Sequence, residues 1–104
     1  MTLNYLDFDY SEDTEGIGVF DAMATVRPER LAAVHAEVAQ VLDWAHAAFA
    51  GRRGAVEEGG EWDYDLQDVQ DLEEANAQRR TVTLSISGSP AFCAAFREAF
   101  DLPA

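Results

Sequence analysis

Asp7, Asp9, Ser11 and Asp13 fall at alternate positions in "DFDYSEDTEG", the nearest this chain comes to a calcium loop. An EF-hand loop needs glycine at its sixth position and a bidentate glutamate at its twelfth. Counted from Asp7 the sixth residue is Glu12; counted from Asp9 it is Thr14, and the twelfth is Phe20. Both registers fail, which leaves only an irregular divalent site at the turn carrying Asp9, Asp13 and Glu15. His35 and His46 are eleven residues apart. On a helix that is about 16 Å, too far to ligate one ion. Cys93 lies among phenylalanine and alanine in "PAFCAAF" and reads as a small buried hydrophobe, although a nearby helix start is a setting that activates thiols. "SGSPAF" lacks the spacing of a nucleophile elbow. "GRRG" could grip a phosphate or carboxylate, and the protein's own acids are the simplest partners for its arginines. The pattern calls for no cofactor or metal and points to binding rather than catalysis.

The elements that must position these groups follow from periodicity. "NYLDFDYS" alternates, with Leu6, Phe8 and Tyr10 on one side and Tyr5, Asp7 and Asp9 on the other, as in a half-buried strand. A glycine-containing turn leads to a second strand, "VFDAMATV", which sets Phe20, Ala22, Ala24 and Val26 against Asp21, Met23 and Thr25. Pro28 suits a first helical position, and Leu31, Val34, Val38, Val41, Leu42, Ala45 and Phe49 keep helical spacing. The spacing predicts a helix over about 28–50, roughly 34 Å long and ended by Gly51. "EWDYDLQ" alternates again, Trp62, Tyr64 and Leu66 against Glu61, Asp63, Asp65 and Gln67. Val69 and Leu72 then fall out of phase, which predicts a bulge or strand end near Gln67–Asp68. "EEANAQRR" reads as a turn and "TVTLSIS" as the cleanest strand. Ser89 and Pro90 start a last helix whose stripe is Phe92, Phe96 and Phe100.

The expected fold is therefore α+β in a two-layer ββαββα arrangement: a four-stranded antiparallel sheet with two helices packed on one face. The 104 residues make one domain, 1–104. Strand order does not follow from the pattern.

Placed on that fold, the charges segregate. Residues 1–26 and 54–78 contain fifteen of the twenty acids and none of the seven arginines. The face away from the helices would carry Asp7, Asp9, Asp21, Glu61, Asp63 and Asp65, with Tyr5 and Met23 as apolar anchors among them. Carboxylates two residues apart on a strand are roughly 6.5–7 Å apart, close to the step between successive phosphates of a nucleic-acid strand. A net charge of −13 would repel nucleic acid and anionic membrane and attract a basic partner. The absence of lysine and the abundance of alanine read as marks of a GC-rich bacterial genome. A single cysteine excludes an intrachain disulfide, and no signal-peptide or membrane-length apolar run occurs, so a cytoplasmic location is expected.

The stretches "LDFDYSEDTEG", "FDAMA", "EGGEWDYDLQ" and "TLSISGSPAFCAAF" resemble a family of small, acidic, uncharacterised proteins of proteobacteria. The resemblance covers most of the chain and implies no activity, cofactor or catalytic residue. Members are similar to this chain through Gln67 and longer between there and Thr81, which implies a shortened connection here.

The leading expectation is a non-enzymatic interaction protein whose acidic sheet face binds a basic protein, in its sharpest form an inhibitor or nucleic-acid mimic acting on a nucleic-acid-binding protein. The alternatives are a small-molecule or divalent-ion binder using the Asp9–Glu15 turn and the "GRRG" loop, a homodimer that pairs edge strands or buries Tyr5 and Met23, and an acidic face that is only solvated.

Overall fold

A computed structural model describes residues 3–54, 58–70 and 79–102. Its elements are β1 (Asp9–Glu12), β2 (Gly18–Val26), α1 (Pro28–Ala48), β3 (Trp62–Gln70), β4 (Arg80–Gly88) and α2 (Pro90–Phe100). The strands form one four-stranded sheet in the order β1-β2-β4-β3, every neighbouring pair antiparallel. The expected α+β arrangement is what the chain adopts. β4 inserts between β2 and β3, so those two strands run parallel on either side of it, and α1 is the crossover that joins them.

Alternation decides which face is covered. Phe20, Ala22 and Ala24 of β2 and Val82, Leu84 and Ile86 of β4 are buried against one side. Val34, Val38, Val41 and Ala45 of α1 and Phe92, Cys93, Phe96 and Phe100 of α2 close over them. Ser89 caps α2 by accepting the Phe92 N–H at 3.2 Å, and Pro90 opens the helix. Because α2 begins two residues after β4 ends, its first turn lies directly on the sheet. Gly18 and Gly88 face each other across β2 and β4 at that point. A Cβ on Gly18 would sit 2.6 Å from Cys93 Sγ, and one on Gly88 would collide with the Phe92 ring.

Three expectations are corrected. The first strand begins at Asp9 rather than near Asn4. Leu6 and Phe8 are buried as expected. The backbone of residues 4–6, however, is held by a helix side chain. Glu37 Oε2 accepts the Asn4 N–H at 2.8 Å, and Oε1 accepts those of Tyr5 and Leu6 at 2.9 and 3.0 Å. Strand parity therefore does not extend to Tyr5, which packs against the edge of the core instead of standing on the open face.

There is no bulge at Gln67–Asp68. The β3–β4 register runs unbroken from Trp62↔Gly88 to Gln70↔Arg80. Val69 is out of phase because it stands on the open face, 57% exposed, while Leu66 is 41% exposed on the other side. Both helices pack mainly over β2 and β4, which leaves this end of β3 thinly covered. Leu72 and most of the predicted turn at 73–80 lie outside the described residues.

Finally, α1 stops at Ala48, and Phe49–Gly51 form the turn, with Gly51 at φ 71°.

Candidate functional site

The open face is built in rows across the strands. Register places Asp9 opposite Asp21, Asp21 opposite Ser85, and Ser85 opposite Asp65. Three carboxylates and one hydroxyl thus lie in a line about 14 Å long, three strand spacings. Ser85 donates to Asp21 Oδ1 at 2.5 Å. On one side of this row, Ser11, Val19, Ser87 and Asp63 are aligned; on the other come Met23, Thr83 and Gln67. Asp7, Asp9, Asp21, Met23 and Thr83 line a shallow open depression of about 480 Å³. Met23 is 66% exposed in its wall. Among the described residues no basic side chain comes within ion-pair distance of Asp7, Asp9, Asp21 or Asp65.

The remaining two predicted carboxylates do not join them. Glu61 precedes β3; its Oε2 accepts the Ser89 hydroxyl at 2.5 Å and its Oε1 lies 3.3 Å from Arg52 Nη2. There it faces the N-terminus of α2, where the helix dipole favours negative charge. Asp63 does stand at the open face, but its Oδ1 accepts Arg53 Nε at 2.9 Å. The "GRRG" arginines are thus engaged by the protein's own acids. Asp68 is likewise held, by Arg80 at 2.9 Å and His35 at 3.1 Å. The unpaired array is therefore Asp7, Asp9, Asp21 and Asp65. It runs across the sheet rather than along one strand.

Of the turn carboxylates Asp9, Asp13 and Glu15, Asp13 serves the turn itself. Asp13 Oδ1 accepts the N–H groups of Glu15 and Ile17 at 2.9 and 3.0 Å, which closes the β1–β2 turn. Among the described residues no group of three or more His, Cys, Asp or Glu is arranged to hold a metal ion. Cys93 is buried, its Sγ 3.5 Å from the Gly88 carbonyl, and burial pushes its thiol above the ordinary value. That is the opposite of activation. Tyr10 is also pushed up, first by burial and then by its hydrogen bond to Glu12, while the Arg97 guanidinium 4.0 Å above its ring opposes the rise. His46 is exposed, with its ring edge-on to Trp62 at 4.9 Å. Trp62, Tyr64, Trp44 and Tyr10 pack into the aromatic core cluster instead of lining a pocket.

Glu37 is the polar residue that pattern reading passes over. It lies three residues after Val34 and four before Val41, on the apolar stripe, and is 8% exposed. Spacing alone could have found it.

Among the described residues no helix is long and apolar enough to cross a membrane. Comparison of the chain with protein-family models, with curated proteins and with solved structures found no match.

Proposed function

We propose that this is a non-enzymatic interaction protein that binds a basic protein surface through the open sheet face around Asp9, Asp21 and Asp65, with Asp7 and Met23 beside them. One observation carries the reading. Asp9 and Asp21 stand directly opposite each other, a third carboxylate shares their row, and no described cation neutralises them. Alternating acids on a solvated strand serve solubility. Like charges placed face to face go further, because they cost the sheet stability. A cationic partner group would relieve that cost, and the nearby arginines do not, being bound to Glu61, Asp63 and Asp68. In its sharpest form the partner is a nucleic-acid-binding protein whose basic surface the face occupies. The small-molecule or divalent-ion reading has weaker support, since Asp13 closes its own turn and the "GRRG" arginines face other acids.

The test is capture from host lysate at low and moderate salt, run beside a variant carrying Asp9→Asn, Asp21→Asn and Asp65→Asn. The reading expects a basic protein that is retained by the parent, released by salt and lost in the variant. Equal retention by both proteins would refute it. Competition by nucleic acid for the captured partner would identify the mimic form.

A further inference from the structure

The chain's own arginine segment shows how a basic chain sits on this sheet. Residues 52–54 run beside the start of β3 on its outer edge, with Arg53 bridged in parallel to Trp62. The Glu61 N–H donates to the Arg52 carbonyl and the Gly54 N–H to the Trp62 carbonyl, both at 2.7 Å. At the same time Arg52 reaches Glu61 and Arg53 reaches Asp63, with the Arg53 guanidinium 4.5 Å over the Tyr64 ring. Backbone pairing and charge pairing occur together, in the manner of a fifth strand begun and then stopped. It stops at Gly54, which turns back onto Gly60 so closely that a Cβ on Gly60 would collide with the Gly54 backbone.

Beyond that point no described segment continues along the edge. Because the Trp62 carbonyl points outward to Gly54, the alternation of strand backbone directs the N–H and C=O groups of Tyr64, Leu66 and Asp68 outward as well; the Tyr64 N–H is already taken by Asp63 Oδ1 at 2.9 Å, which leaves the Tyr64 carbonyl and both groups of Leu66 and Asp68. Among the described residues no strand pairs with them. Asp65 is the next open-face carboxylate after Asp63, and Leu66 is exposed on the opposite side of the same edge.

We infer that the partner docks as an extended segment of alternating basic and apolar residues, adding a strand to the outer edge of β3 beyond Trp62. This rests on the proposed acidic-face reading and specifies its geometry. Main-chain hydrogen bonds to the Tyr64 carbonyl and to the N–H and C=O groups of Leu66 and Asp68 hold the segment, a basic side chain lies over Asp65, and an apolar one covers Leu66.

The test uses two blocked hexapeptides of one composition, acetyl-Arg-Val-Arg-Val-Arg-Val-amide and acetyl-Arg-Arg-Arg-Val-Val-Val-amide, titrated calorimetrically into the intact protein. The alternating peptide should bind at least about tenfold more tightly, equivalent to roughly one or two main-chain hydrogen bonds. It should slow hydrogen exchange at the Leu66 and Asp68 amides of the parent protein, a readout that needs no variant. Leu66→Pro removes an outward N–H without breaking the β3–β4 ladder, a place where an edge strand tolerates proline. It should weaken binding about tenfold or more. The paired change Asp43→Asn and Glu98→Gln, which removes two charges from exposed helix positions outside the sheet, should weaken binding of the hexapeptide by less than about threefold. Equal binding of the two peptides, or unchanged exchange at the Leu66 and Asp68 amides, overturns the edge inference and leaves the face reading standing. Failure of both peptides to bind also overturns it, while lysate capture decides the face reading separately.

Discussion

Replacing Glu37 should cost more stability than replacing any other acid whose contacts are described here. Its two oxygens accept three consecutive backbone N–H groups, with Tyr5 shared between them at 2.9 and 3.2 Å. In Glu37→Leu all three donors lose their acceptor. Asn4 is exposed and Tyr5 half-buried, so water can reach those two. Leu6 is 4% exposed, and its N–H would be stranded. A buried unsatisfied donor costs about 1–3 kcal/mol, and each lost charge-assisted bond about 1.5–3 kcal/mol, so with partial replacement by water the total is about 3–5 kcal/mol. Glu37→Gln keeps the shape and can retain Oε1 for Tyr5 and Leu6 while its amide faces exposed Asn4. Its cost should be about 2 kcal/mol, the difference between charged and neutral acceptors plus one lost bond. Against a total of about 5–15 kcal/mol for a domain, the leucine variant should unfold at markedly lower urea. Urea melts followed by tryptophan fluorescence give the free energies, and amide exchange at Leu6 reports the local release. If Glu37→Leu stays within about 0.5 kcal/mol of the parent, the range of an ordinary surface change, and the Leu6 amide stays protected, the carboxylate does not anchor the N-terminal segment.

Asp9→Asn removes the charge facing Asp21 and should stabilise the protein by about 0.2–1 kcal/mol at low ionic strength, a gain that thermal melts in high salt should erase. Gly88→Ala drives a Cβ into the Phe92 ring and should cost about 1–3 kcal/mol by overpacking, read from urea melts. Arg53→Ala breaks a half-exposed pair with Asp63 and should cost only about 0–1 kcal/mol in the same assay. Cys93 and Tyr10 are weak acids held neutral in the folded chain, raised above ordinary values of 9.0 and 10.0. Their stabilisation is whole below those values and is lost as pH rises through the higher folded ones. Urea midpoints should therefore fall in the alkaline range, and a thiol reagent near neutral pH should label Cys93 only as fast as the protein opens.

The fold was legible wherever alternation or helical spacing was strict. Phe20, Ala22 and Ala24, like Val82, Leu84 and Ile86, declare one buried face. Strand order was not legible, because a β4 that reads as the best strand carries nothing in its pattern that sends it between β2 and β3. Parity gave the right side for Asp7, Asp9, Asp21, Met23, Asp63 and Asp65. It failed for Tyr5 and Glu61, which lie outside the strands. There the backbone answers to a helix carboxylate in one case and to the α2 cap in the other. Val69 misled because phase slippage looks the same whether a strand bulges or merely outruns its helices.

The position of β4 also bears on how the chain is made. β2 receives its inner neighbour only when residues 80–88 exist, 62 residues after Val26 measured to Gly88. At about 5–20 residues per second, that interval lasts about 3–12 s on the ribosome. Through it the β1–β2 hairpin and α1 have no central strand to close their core, and Phe20, Ala22 and Ala24 remain uncovered on that side. Its high negative charge would then act before any partner is met, keeping nascent chains on neighbouring ribosomes apart until β4 arrives.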